Sequence, residues 1–120
     1  MAASKVIILL GTNLFFTQKM ATQLKQAGHT VYVESSYEGV RGKAGAGVSA
    51  VVIDLAAKGM DAVDILKKMK ASPETKAIPT LGFCGHADTA LMDAARSAGC
   101  GLVVTNGVAA AGLPAHLDRL

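Results

Sequence analysis

The feature that most constrains this sequence is the recurrence of five short apolar runs, separated by segments long enough to form helices. Lys5 to Leu10 (KVIILL) is a continuous β-branched and aliphatic run, the pattern of a strand covered on both faces. Thr30 to Glu34 (TVYVE) alternates more and belongs nearer a sheet edge. Ala50 to Leu55 (AVVIDL), Ile78 to Phe83 (IPTLGF) and Leu102 to Val104 complete the series. The intervals carry helix signals. Thr12 or Asn13 caps a helix with Phe16, Met20 and Leu24 on one stripe and Lys19, Gln23 and Gln26 facing away, and Gly28 closes it. Asp61 caps a helix with Ile65, Leu66 and Met69 inward, and Asp88 caps one with Leu91, Met92 and Ala95 inward. The last short helix opens at Pro114, where a missing N–H is harmless. Ser35 to Ser49 is the least regular stretch. Four glycines, at positions 39, 42, 45 and 47, reduce it to a short helix over Tyr37 to Arg41 and a mobile loop. Strands alternating with helices in this way wind a parallel sheet by right-handed crossovers. The expected fold is an α/β three-layer sandwich with a five-stranded parallel sheet, in one domain over residues 1–120.

Composition narrows the function classes. At 51% hydrophobic with a net charge of +3, the chain is neither disordered nor strongly polyionic. Its basic residues are scattered. The densest group, Lys67, Lys68 and Lys70, fits a solvated helix face better than a nucleic-acid interface. No apolar run approaches the ~20 residues needed to span a bilayer. The segment from Lys5 to Phe16 is interrupted by Gly11-Thr12-Asn13, so it reads as a strand and its exit, not a signal peptide. Cys84 and Cys100 then read as reduced thiols of a cytoplasmic protein.

Ala50 to Lys70, AVVIDLAAKGMDAVDILKKMK, resembles the phosphoacceptor segment of bacterial response-regulator receiver domains. Asp54 ends the third strand and precedes Met60-Asp61-Ala62 by the spacing that family places before its Met-Asp-Gly turn. ASPETKAIP from Ala71 to Pro79, His86-Ala87-Asp88 and Ser97-Ala98-Gly99 extend the likeness over most of the chain. The resemblance implies a flavodoxin-like, doubly wound topology. It also implies phosphoryl transfer to Asp54 from a sensor kinase, with Mg²⁺ held by that aspartate and by an acidic pair leaving the first strand. A hydroxyl after the fourth strand and a lysine after the fifth would hold the phosphoryl oxygens. By position, the acidic pair falls on Gly11 and Thr12, the hydroxyl on Cys84, and the lysine on Thr105 or Asn106. Only Asp54 matches, and Lys58 stands where the family turn carries proline.

The expectation is therefore a degenerate receiver, or pseudo-receiver. It is not an enzyme, has no metal or other cofactor, and signals by binding a partner protein. Asp54 is its phosphoacceptor equivalent, with Thr12, the loop backbone or Lys58 as partners. Gly11, Thr12, Cys84 and Thr105 form its emptied pocket. The resemblance puts the partner-binding face on the fourth helix, fifth strand and fifth helix, with Thr89, Asp93, Arg96, Val103 and Leu113 to Leu120. Such a chain is expected to be a monomer or weak homodimer. Two alternatives stand beside it: a conventional receiver phosphorylated on Asp54, and a small-ligand binder using the emptied pocket. Other motifs carry less. Cys84-Gly85-His86 suggests a nucleophile or metal site with Asp54, but lacks an oxyanion donor and a fourth ligand. Gly39 to Gly47 (GVRGKAGAG) has Ala44 where a phosphate loop needs Ser or Thr, and Gly11 stands without the other glycines of a dinucleotide site. His29 and His116 read as surface residues.

Overall fold

A computed structural model describes residues 4–120. Its strands are β1 (Val6–Leu10), β2 (Thr30–Glu34), β3 (Ala50–Asp54), β4 (Thr80–Cys84) and β5 (Leu102–Thr105). All pair in parallel, in the order β2-β1-β3-β4-β5. This is the flavodoxin-like doubly wound sheet, with its topological switch between β1 and β3. The helices are α1 (Leu14–Gln26), α2 (Tyr37–Lys43), α3 (Ala62–Ala71), α4 (Thr89–Ser97) and α5 (Asn106–Leu117). Among the described residues no helix is long and apolar enough to cross a membrane.

The period of two along each strand divides its side chains between two cores. Ile7, Leu9, Val52, Leu81 and Phe83 pack beneath α1 and α5. Ile8, Leu10, Val51 and Ile53 pack beneath α2, α3 and α4. Ile7, Ile8, Val51, Val52 and Ile53 are fully buried, which explains why these two strands contain no polar position before their ends. β2 lies at the edge as expected, but its burial does not alternate strictly: Val31 is half-buried, whereas the adjacent Tyr32 and Val33 are both exposed. Close layering also explains Gly82. A Cβ there would lie 2.9 Å from the Leu55 side chain.

Caps fall where the sequence signals them. Asn13, Asp61 and Asp88 accept from the backbone N–H of Phe16, Asp64 and Leu91. Gly28, at φ 93°, takes the left-handed conformation after α1.

Several expectations need correction. α2 runs on to Lys43 and passes into a 3₁₀ turn at Ala44–Ala46, so this stretch is more regular than its glycines suggest. Ser36 caps it, and the Tyr37 hydroxyl donates to Ser72 Oγ at 2.7 Å, tying it to the end of α3. The last helix begins at Asn106, eight residues before Pro114. Thr105 caps it, and proline sits after a break at Gly112. The break frees backbone groups. Gln23 on α1 satisfies two of them: Oε1 accepts from Leu113 N–H at 2.8 Å and Nε2 donates to the Ala110 carbonyl at 3.0 Å. Gln23 therefore does not face away from the core. His29 is buried, 7% exposed, with Nδ1 accepting from the Lys5 N–H at 3.0 Å. Leu113 and Leu117 are buried on the inner side of α5, so the expected partner face loses both as contact residues.

Replacing Gln23 by alanine is expected to strand the Leu113 N–H and destabilise the fold by about 1–3 kcal/mol. Urea unfolding measures the loss, and faster amide exchange at Leu113 locates it.

Candidate functional site

The doubly wound topology creates one natural crevice. After β1 the chain leaves to the face carrying α1, whereas after β3 it leaves to the opposite face carrying α3. The two exits part at the carboxyl edge, as they do at the ligand sites of such sheets. There a cleft of about 430 Å³ is lined by Thr12, Asn13, Phe16, Asp54, Lys58 and Asn106, with Ala56 and Ala57 on its rim.

Asp54 ends β3 and is half-buried. Its Oδ1 accepts from the Ala56 N–H at 3.2 Å. Burial holds its carboxyl above the usual aspartate range, and that hydrogen bond only partly opposes the rise. Its expected partners Thr12 and Lys58 pair otherwise: the Thr12 hydroxyl donates to the Lys58 carbonyl at 2.7 Å. This bond joins the β1–α1 and β3–α3 loops across the mouth of the crevice. Among the described residues Asp54 forms no ion pair.

The expected pocket residues separate into two groups. Gly11 is buried beside Asp54; a Cβ there would lie 3.6 Å from the Asp54 Cβ and 3.4 Å from the Thr17 hydroxyl. Thr12 lines the cleft. Cys84 does not: it is buried in the core beneath α3 and α4. Thr105 is occupied as the α5 cap, its Oγ1 accepting from Val108 N–H at 3.3 Å, and Asn106 takes the lining position. Asn13 and Phe16 were legible only as a cap and a core residue. Phe16 stacks on Phe83 with ring centroids 5.4 Å apart and turns its remaining edge to the cleft. The expected face residues Arg96 and Val103 are respectively exposed, with Arg96 paired to Asp93 at 3.1 Å, and half-buried.

The Cys84–His86–Asp54 combination is not assembled. Burial, then the nearby Asp88 and Asp54 charges, push the Cys84 thiol up, opposite to what a nucleophile needs. The Cys84 thiol faces the Asp88 carbonyl, and His86 is exposed.

The Mg²⁺ that the family resemblance implies does not fit this donor set. The two positions that should carry carboxylates hold a glycine and a threonine whose hydroxyl is engaged with a backbone carbonyl. Among the described residues no three His, Cys, Asp or Glu side chains are placed to share a metal ion. Mg²⁺ gives up water only for hard, preferably anionic oxygens. Asp54 supplies the one side-chain carboxylate lining the cleft.

No protein-family model matches the sequence, and no curated protein matches it. Solved structures match its fold closely. A chain assigned as a response regulator from Chloroflexus aurantiacus J-10-fl is 18% identical with a TM-score of 0.86, over 98% of this chain and 97% of that one. The receiver domain of the sensor histidine kinase PA1611 from Pseudomonas aeruginosa PAO1, whose structure has magnesium coordinated in its active-site cleft, is 17% identical with a TM-score of 0.83, over 98% and 97%. The chemotaxis response regulator CheY4 of Vibrio cholerae is 16% identical with a TM-score of 0.77, over 98% of each chain. The fold of this chain is thus the receiver fold.

Asp54→Asn should leave the fold intact and stabilise it at neutral pH, because an uncharged amide avoids the cost of burying charge and its oxygen still accepts from Ala56. A raised folded-state pKa makes the ionised carboxylate a penalty that sets in as pH rises from the unfolded aspartate value, ~3.9, through the folded one. The advantage of the variant over wild type should therefore vanish near pH ~3. Urea midpoints at the two pH values decide this; a variant less stable at neutral pH would contradict it.

Proposed function

We propose that the chain is a receiver-type signalling module that acts by binding a partner protein, without Mg²⁺-dependent phosphorylation of Asp54. The observation that carries this reading is the charge content of the cleft. Asp54 is its one carboxylate, and Asn106 stands where a phosphoryl-binding lysine would reach in. An aspartyl phosphate at Asp54 would face a hydroxyl, two amides and a phenyl edge, with Lys58 as the only cation in the lining. Phosphoryl transfer depends on metal and basic groups that neutralise charge as it builds up on the equatorial oxygens. That requirement is not met here, whereas the frame of the fold is intact and its helical faces are free to contact other proteins. In this reading the module is not an enzyme, works in the cytoplasm, and has a signalling protein, a sensor kinase among the candidates, as its partner.

The test is an amide NMR titration with Mg²⁺, then with Mg²⁺ and beryllofluoride, on wild type and Asp54→Asn. Wild type is expected to give no localised response around the cleft. Saturable shifts near Asp54 that vanish in the variant would make the chain a conventional phosphoreceiver. As a positive control, Gly11→Asp combined with Thr12→Asp places two further carboxylates beside Asp54 and is expected to gain Mg²⁺-dependent shifts there. Shifts produced instead by a panel of small polar metabolites would favour a ligand-binding pocket.

A further inference from the structure

The two edges of the sheet are not alike. At β5 all four residues are half-buried. At β2 the adjacent Tyr32 and Val33 are 37% and 45% exposed. In a parallel ladder alternate residues turn both N–H and C=O to the same neighbour. The Thr30 N–H donates to the Lys5 carbonyl at 2.9 Å, and the Glu34 carbonyl accepts from the Gly11 N–H at 3.1 Å, so Thr30, Tyr32 and Glu34 bond to β1. Val31 and Val33 therefore direct their N–H and C=O groups away from β1, on the side where the sheet has no further strand. Proteins ordinarily blunt such an edge with lysine, proline or a bulge. TVYVE contains neither lysine nor proline, and its register with β1 runs unbroken through all five residues.

The sequence of the edge and the charges beside it select its occupant. Val-Tyr-Val reads the same in both directions, so a second β2 laid antiparallel about Tyr32 pairs Val31 with Val33 on either side of the axis. Thr30 of each copy then faces Glu34 of the other. Thr30, Tyr32 and Glu34 share the sheet face of Ile8 and Leu10, which α2 covers. Lys43, at the end of α2, holds its ammonium 4.9 Å from the centroid of the Tyr32 ring. Glu34 and Lys43 are both half-buried, and among the described residues neither forms an ion pair. In the antiparallel register Glu34 of each copy lies diagonal to Tyr32 of the other, a separation of ~7–8 Å that long side chains span. Each carboxylate thus comes beside the cation stacked on the opposite tyrosine, and a two-fold axis makes that match twice.

We infer that β2 is a self-association edge: two copies of the chain join through antiparallel β2 strands about a two-fold axis at Tyr32, fusing two five-stranded sheets into one. Because the paired strands run in opposite directions, the two Asp54 clefts lie at opposite edges of the joined sheet and both stay open. The inference uses no residue of the cleft and is independent of whether Asp54 accepts a phosphoryl group. Five paired residues make a small interface, so the association is weak and reversible.

Sedimentation equilibrium from ~0.02 to ~2 mM chain is expected to show a monomer–dimer equilibrium. Over the same range, hydrogen exchange at the Val31 and Val33 amides should slow several-fold with rising concentration, whereas the Tyr32 amide, bonded to β1, should change little. Val33→Pro removes an N–H that β1 does not use and should abolish the dimer. Should that variant fail to fold, Val33→Lys keeps the backbone donor and sets like charges diagonally across the axis, with the same expected loss. Lys43→Glu should weaken association ~10-fold by placing carboxylates together, and adding Glu34→Lys should restore it. A chain that stays monomeric over the whole range overturns the inference. So does a dimer that these variants leave intact, or one whose concentration-dependent protection is confined to α4, β5 and α5.

Discussion

Everything in this fold depends on covering β1 and β3 from both sides. Their side chains from Ile7 to Leu10 and from Val51 to Ile53 are shut away from water, so neither strand can hold a polar group until it reaches its carboxyl end. Two helices on one face and three on the other provide the cover. Once they are in place, the crevice between the β1 and β3 exits is the one location where polar side chains from the central strands can gather. Asp54 occupies that position because the chain offers the central strands no other.

The same crevice carries the features on which the proposed phosphorylation-independent reading rests. In the crevice a neutral hydrogen bond from Thr12 to the Lys58 carbonyl joins loops that, in the family resemblance, a metal ion would draw together. The half-buried aspartate remains, but burial disfavours its ionised form and little nearby compensates. Cys84 faces the core where a hydroxyl would face phosphate, and the Thr105 hydroxyl is engaged in capping α5. In the proposed reading these features depend on one another: without anionic ligands, nothing in the cleft requires a hydroxyl or a lysine opposite them.

Much of the architecture was legible because apolar periodicity and capping residues are local signals. KVIILL, AVVIDL and the capping aspartates at positions 61 and 88 each state their structure within a few residues. The parts that were not legible depend on long-range contacts. Nothing near Pro114 says that the helix starts at Asn106, because the partner that tolerates its break, Gln23, lies far away on α1. His29 looked polar and exposed, but the Lys5 amide, just before β1, reaches it. The site showed the same division. Asp54, Gly11 and Thr12 sit at strand ends and were found by position, whereas Asn106 displaced Thr105 because side-chain direction at a helix start is decided by capping. The exposure of Leu14 and Phe15 was not legible, since an apolar pair at a helix start reads equally well as core.

The stitch made by Gln23 also bears on how the chain reaches its folded state. Past the Gly112 break, α5 continues for only five residues, Leu113–Leu117, far below the length at which a helix persists by itself. It is held by Gln23 and by the Lys5 ammonium, which donates to the Leu117 carbonyl at 3.1 Å. Both partners belong to the first quarter of the sequence. Such closures carry the largest loop entropy in the molecule and are made late. During synthesis the first helix therefore emerges with its amide side chain waiting for a partner 90 residues further along. The first helix and the first strand's approach thus hold the last helical turn of the sheet's final α/β unit in place.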